Sequence, residues 1–154
     1  MPTALLAADF DTVLDAVPEA RGRAAVAARA LLPGPYTLVL PNPARRFRWL
    51  TGSRPETLGI RVPSLPPAAH AVVERVGAVA ATSANLHGGE EPAGLFQVPA
   101  EIHERAVVLD AGRLPGSPST VVDLTGPEPR VLREGAVPAD EALALAREVL
   151  ARPR

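Results

Sequence analysis

Val79-Ala80-Ala81-Thr82-Ser83-Ala84-Asn85-Leu86-His87-Gly88-Gly89 is a short apolar run that breaks abruptly into hydroxyls, an amide and two glycines. Its small side chains contribute little core. The run reads as a buried strand whose importance lies at its end, where hydrogen-bonding groups precede a glycine turn that lets backbone approach a ligand. The same residues also suit a plain strand-to-loop turn closed by an Asx cap. The segments on either side decide which sheet this strand joins.

Upstream, Thr57 to Pro63 alternates Leu58, Ile60 and Val62 with Thr57, Gly59 and Arg61, which predicts a strand carrying Thr57 and Arg61 on one face. A helix over 66–76, with Ala69, Val72, Val73 and Val76 on one side, leads into the central strand over 78–82. Earlier still, Ala4 to Ala7 reads as a strand, Asp9 caps a short helix, and 18–32 reads as a helix stopped by Pro33-Gly34-Pro35. Tyr36 to Leu40 is a strand, and 44–56 is polar and irregular. Downstream, a helical turn is expected over 100–105, strands over 107–110, 119–124 and 130–133, and an amphipathic helix over 138–152. Strands alternate with helices early and with turns late. This order predicts an α/β (α+β-like) domain built on one twisted mixed β-sheet flanked by helices.

The chain of 154 residues is 47% apolar, enough for a core without staples, and no repeat or linker divides it, so a single domain over 1–154 is expected. Without cysteine there is no disulfide framework, thiolate metal site or cysteine nucleophile. No apolar run approaches a bilayer-spanning length and no basic leader precedes Ala4, so a cytoplasmic protein with no membrane partner is expected. The net charge of −1 gives no global attraction to a polyanion. A nucleic-acid contact would need a local patch such as Arg45, Arg46 and Arg48 around Phe47, which also suits an ordinary solvated loop. All 16 basic residues other than histidine are arginine; there is no lysine.

A glycine-rich phosphate loop with lysine, a Gly-x-Ser-x-Gly elbow and paired histidines at helical spacing are all missing. His70, His87 and His103 are scattered, and none has a second ligand at metal-binding spacing. What recurs is a polar group near the end of several strands: Thr57 and Arg61, Thr82 to Asn85, Ser119 and Thr120, and Arg133. Brought to one cleft, these would offer two planar guanidinium forks and several neutral donors, a set suited to an anionic ligand. Surface pairing of both arginines with carboxylates is the alternative.

Five motifs carry a family resemblance. Leu32-Pro33-Gly34-Pro35-Tyr36-Thr37-Leu38-Val39-Leu40, Leu58-Gly59-Ile60-Arg61-Val62-Pro63, Ala81-Thr82-Ser83-Ala84-Asn85 followed by Gly88, Pro118-Ser119-Thr120-Val121-Val122-Asp123 and Leu132-Arg133-Glu134-Gly135 stand in the order and rough spacing of the YrdC-like family. That family includes threonylcarbamoyl-AMP synthase. The motif-bearing part covers 31–137, and the C-terminal helix over 138–152 follows it.

The resemblance implies an L-threonylcarbamoyladenylate synthase, a nucleotidyltransferase. It would join L-threonine, bicarbonate and ATP with release of pyrophosphate, for N6-threonylcarbamoyladenosine modification of tRNA. It implies that Arg61, Ser83 and Ser119 hold threonine, that Thr57, Asn85 and Arg133 serve the nucleotide, and that Mg2+ accompanies ATP. Downstream threonylcarbamoyl transferase proteins, tRNA and double-stranded RNA are the further partners it suggests. The family pattern also has an N-terminal segment with a first strand and a Lys-x-Arg motif. This sequence departs from it, since Arg21-Gly22-Arg23 matches only superficially inside an expected helix. The resemblance therefore leaves two expectations: an N-terminally shortened synthase, or a non-catalytic nucleotide- or double-stranded-RNA-binding module.

Overall fold

The computed structural model describes residues 3–86, 88–114 and 116–152. The chain enters the sheet at once through β1 (Ala4–Leu6), all three of whose residues are buried. Asp9 then caps α1 (Phe10–Ala16), its Oδ1 accepting from the Thr12 N–H at 2.7 Å and satisfying one orphan donor of the first turn. α2 (Gly22–Leu31) starts four residues later than its alanine-rich sequence suggests. Gly22 adopts φ +71°, a left-handed conformation that breaks helical continuity with Pro18 to Arg21.

β2 (Tyr36–Pro41) and β3 (Thr57–Arg61) both alternate buried and half-buried residues, as one-sided strands must. Between them, the segment expected to be irregular contains a single helical turn, α3 (Arg48–Thr51), which buries Leu50. Asn42 anchors this loop from inside: its Nδ2 donates to the carbonyls of Arg46 and Pro55, both at 2.9 Å, and its Oδ1 accepts from the Arg46 N–H at 3.0 Å. α4 (Pro67–Val76) buries only Val73, and Val72 and Val76, expected on a packed side, are exposed.

β4 (Val79–Ala81), expected as a buried central strand, lies at a sheet edge and has no fully buried residue. The correction has a simple cause. A run of small apolar residues signals neither burial nor position, and β4 has only β1 as a partner. A single 3₁₀ turn (Leu95–Gln97) and α5 (Ala100–His103) follow. The strand expected over 107–110 does not form. Val107 is 96% exposed, and Asp110 instead accepts from the Gly112 N–H at 2.8 Å in a local turn. β-branched residues favour a strand only when an edge is there to pair with.

β5 (Thr120–Asp123), β6 (Arg130–Arg133) and α6 (Ala139–Ala151) complete the chain. The six strands form one mixed sheet in the order β4-β1-β3-β2-β5-β6, with β1/β3 and β2/β5 parallel and the other pairs antiparallel. Leu5, Leu38, Leu40, Leu58, Ile60 and Val122 project to one face, where Phe10 and Val13 of α1, Ala27, Ala28 and Leu31 of α2, and Ala142 and Ala146 of α6 complete the core. Alanines at the helix contacts let α2 and α6 approach closely over the sheet. This is the expected α/β sheet flanked by helices. Among the described residues no helix is long and apolar enough to cross a membrane.

Candidate functional site

With helices covering one face, the half-buried residues of the same strands line the other. Leu38 pairs with Ile60, so the next position of the ladder sets Thr37 opposite Arg61. Thr37 pairs in turn with Val121, and Val121 with Arg133. Register alone therefore lays Arg61, Thr37, Val121 and Arg133 in one row across four strands. Gly59 keeps the floor beside this row low: a Cβ placed there would lie 3.6 Å from Ala4 Cβ and 3.7 Å from Thr37 Cγ2.

Hydrogen bonds tie the row together. Thr37 Oγ1 and Ser119 Oγ lie 2.7 Å apart. Arg133 donates from Nη2 to the Ser119 carbonyl at 2.8 Å and to Ser119 Oγ at 3.2 Å, and from Nε to the same carbonyl at 3.3 Å. Its Nη1 faces Glu91 Oε1 at 3.5 Å. Ser119 is fixed from behind as well. The Ala136 N–H donates to the Pro118 carbonyl at 2.8 Å, an approach that only Gly135 permits, because a Cβ at that position would stand 2.6 Å from Ser119 C.

Arg61 differs from Arg133. It is half-buried, forms no ion pair among the described residues, and its buried Nε has no hydrogen-bond partner. Burial draws its guanidinium below the ordinary arginine range, with Glu91 opposing that shift and Arg133 reinforcing it. Arginine remains charged through any such shift. The result is a cation half out of water, beside two hydroxyls, with donors unused. Such a group costs stability unless an anion completes it.

The other sequence-derived positions are not part of this strand row. Thr57 shares the open face but stands at the opposite end of β3, where its hydroxyl donates to the Arg54 carbonyl at 3.1 Å. By strand rise, Thr57 and Arg61 are about 13 Å apart. Ser83 and Asn85 lie in the loop that follows β4, whose last residue, Ala81, pairs with Ala4. Asn85 Nδ2 donates to the Gly89 carbonyl at 2.6 Å and its buried Oδ1 has no partner. Thr120 turns into the core and is structural: its Oγ1 donates to the Val137 carbonyl at 2.6 Å and accepts from the N–H groups of Gly135 and Val137. His87 lies outside the described residues.

Two site residues were not singled out from the sequence, Thr37 and Glu91. Strand alternation from Leu38 and Leu40 is the signal that places Thr37 on the open face. Glu91 had none, since it reaches Arg133 only because the loop after Asn85 returns across the sheet. Among the described residues no three histidine, aspartate or glutamate side chains converge to hold a metal, and Glu91 is the only carboxylate paired within this row.

Residues 1–135 match the Sua5/YciO/YrdC family model, whose description reads "Telomere recombination". The chain belongs to the Sua5/YciO/YrdC family. A Mycobacterium tuberculosis relative, provisionally named threonylcarbamoyl-AMP synthase, is 36% identical over 139 residues, which are 89% of this chain and 63% of that one. The threonylcarbamoyl-AMP synthase of Pyrococcus abyssi is 30% identical over 154 residues, 99% of this chain and 45% of the relative. Among solved structures, P. abyssi Sua5 in complex with L-threonine matches with a TM-score of 0.73 and 29% identity over 94% of this chain and 43% of that one. Escherichia coli YciO matches with a TM-score of 0.70 and 28% identity over 92% and 68%. The chain thus spans 63% and 45% of the length of these two curated relatives.

Proposed function

We propose that the open-face row binds L-threonine and the phosphates of ATP, and that the chain carries threonine- and nucleotide-binding elements of a threonylcarbamoyl-AMP synthase. The observation that carries this reading is Arg61, a half-buried guanidinium with an unpartnered Nε beside the Thr37 and Ser119 hydroxyls. A guanidinium fork suits the threonine carboxylate, and paired hydroxyls suit its side-chain hydroxyl. A relative of this fold has been solved with L-threonine, which supports the same ligand class here.

Arg133 is the phosphate-facing cation in this reading. Ser119 orients its guanidinium from one side, which leaves Nη1 directed away toward Glu91 and open solvent. The reaction joins threonine, bicarbonate and ATP. The threonine amine attacks the bicarbonate carbon, a C–N bond forming as a C–O bond breaks and water leaves with a proton from the nitrogen. The resulting N-carboxylate attacks the α-phosphorus, the bond to the bridging oxygen breaks, and pyrophosphate leaves with its electron pair. Here the protein acts by positioning and by stabilising charge that builds on the phosphate oxygens. Magnesium enters as part of the MgATP substrate, held by the phosphates. The adenylate product would serve threonylcarbamoyl transfer to tRNA. Asn85, whose side chain bonds to Gly89 two residues before Glu91, serves the nucleotide in this reading, and Thr57, at the far end of β3, does so only if the nucleotide extends along that strand.

Calorimetric titration of the purified chain with L-threonine, with and without MgATP, tests the reading. Binding that Arg61→Ala abolishes, and that MgATP tightens through Arg133, is the expected result. Product analysis for threonylcarbamoyladenylate separates an active synthase from a module that binds without turnover. A folded chain that binds neither threonine nor MgATP overturns the proposal.

A further inference from the structure

An α-amino acid presents two opposite charges to a site, and the row described above names a group for only one of them. Arg61 takes a carboxylate and the hydroxyls of Thr37 and Ser119 take a hydroxyl, but none of these can accept from an ammonium as strongly as an anion does. Glu91 is the anion in place. Its carboxylate is within ion-pair distance of Arg133 at 3.5 Å and close enough to Arg61 for its charge to act on that side chain.

The contact with Arg133 does not use Glu91 fully. At 3.5 Å it is long beside the roughly 2.7–2.9 Å of a charge-assisted hydrogen bond. It engages Oε1 only, and Oε2 makes no hydrogen bond among the described residues. Arg133 meanwhile holds its orientation without Glu91, through three bonds to Ser119. The Glu91 segment is braced rather than loose: the Ala93 N–H donates to Gln97 Oε1 at 2.6 Å, and the Ala93 carbonyl accepts from the Leu114 N–H at 2.8 Å. A half-buried carboxylate on a braced loop, facing a site with two guanidiniums, is arranged for a ligand that brings a positive charge of its own.

We infer that Glu91 is the specificity-determining residue for the ammonium of the amino-acid substrate, so that Arg61 and Glu91 together read the zwitterion and exclude hydroxy acids that lack an amine. This inference rests on the threonine reading of the site. Ammonium binding replaces the long contact to Arg133, which frees Nη1 for phosphate, so amino acid and nucleotide should bind with positive coupling.

The test uses the whole chain and two probes, L-threonine and (R)-3-hydroxybutyrate, the same skeleton without the amine. The wild type should prefer threonine. Glu91→Gln, isosteric and uncharged, should weaken threonine about 10- to 100-fold while binding the hydroxy acid no more weakly, as expected for loss of one charged hydrogen bond. Glu91→Asp, which keeps the charge, should retain most of the preference, and thermal melts of both variants confirm folding. If Glu91→Gln keeps the wild-type preference and shifts only MgATP affinity, Glu91 merely anchors Arg133 and the inference is overturned. If the wild type binds neither probe, the threonine reading itself fails and takes this inference with it.

Discussion

Thr37 Oγ1 and Ser119 Oγ, 2.7 Å apart, bind β2 to the residue that leads into β5 through side chains on the face away from the core. Ser119 Oγ also accepts from Arg133. Whichever hydroxyl donates to the other, one hydroxyl proton is left for a ligand on the open face. Thr37→Val keeps the branched shape and removes that arrangement. We expect L-threonine affinity to fall about 3- to 10-fold, the worth of one neutral hydrogen bond, with the melting temperature little changed, by calorimetry and thermal denaturation.

Arg61 separates binding from stability. Its burial without a partner for Nε is unfavourable in the free protein, so an apolar chain of similar length should fit the fold at least as well. Arg61→Met is expected to leave urea stability unchanged or raise it by up to about 1 kcal/mol, while threonine binding is lost. A variant that unfolds more readily than the wild type would show that Arg61 serves the fold instead.

Much of this arrangement was legible in the sequence. Alternation of Leu58, Ile60 and Val62 against Thr57, Gly59 and Arg61 placed Arg61 on the open face, and Asp9 announced its helix, because side-chain periodicity and capping are local. The motif order carried the family. What failed was what depends on partners across space. Ala80 and Ala81 look the same in a central strand as at an edge, and Val107 and Val108 carry strand propensity without a strand to meet. The alignment of Arg61, Thr37 and Arg133 in one row follows from strand direction and register, which no single motif encodes. Glu91 was invisible for a related reason: only the return of its loop gives it a role.

Asp123 predicts an acid-sensitive element of stability. Its side chain is 1% exposed and accepts from the Thr125 N–H at 2.9 Å, Thr125 Oγ1 at 2.6 Å and Arg130 Nη2 at 3.0 Å. Burial alone would raise this carboxyl, but the bonds from Thr125 and Arg130 outweigh it and hold the group below its ordinary value. A depressed carboxylate stabilises the fold fully above the unfolded pKa of about 3.9, and that contribution is lost as pH falls through the folded pKa. Asp123→Asn should therefore cost about 2 kcal/mol at pH 7. Urea melts across pH should show the gap from wild type closing below about pH 4. A gap that stays constant into acid would mean that packing, not charge, holds the turn.

Gly135 links the fold to the site through backbone alone. A Cβ there would stand 2.6 Å from Ser119 C and 2.7 Å from its carbonyl oxygen, and it would press on the Pro118 carbonyl as well. These are main-chain atoms, so no flexible side chain can yield; the Pro118-Ser119 segment or the 135–137 turn must move. Both are tied to Thr120 Oγ1, which joins Val137 and Gly135 to β5. Gly135→Ala should then cost about 1–3 kcal/mol as an overpacking change. It should also displace the Ser119 carbonyl that orients Arg133, so MgATP affinity should fall in the folded variant at temperatures well below its melt. Arg133→Ala in the wild-type background provides the comparison. If the two variants weaken nucleotide equally and their combination is no worse, Gly135 acts through Arg133. Full additivity would mean that the glycine supports binding by another route.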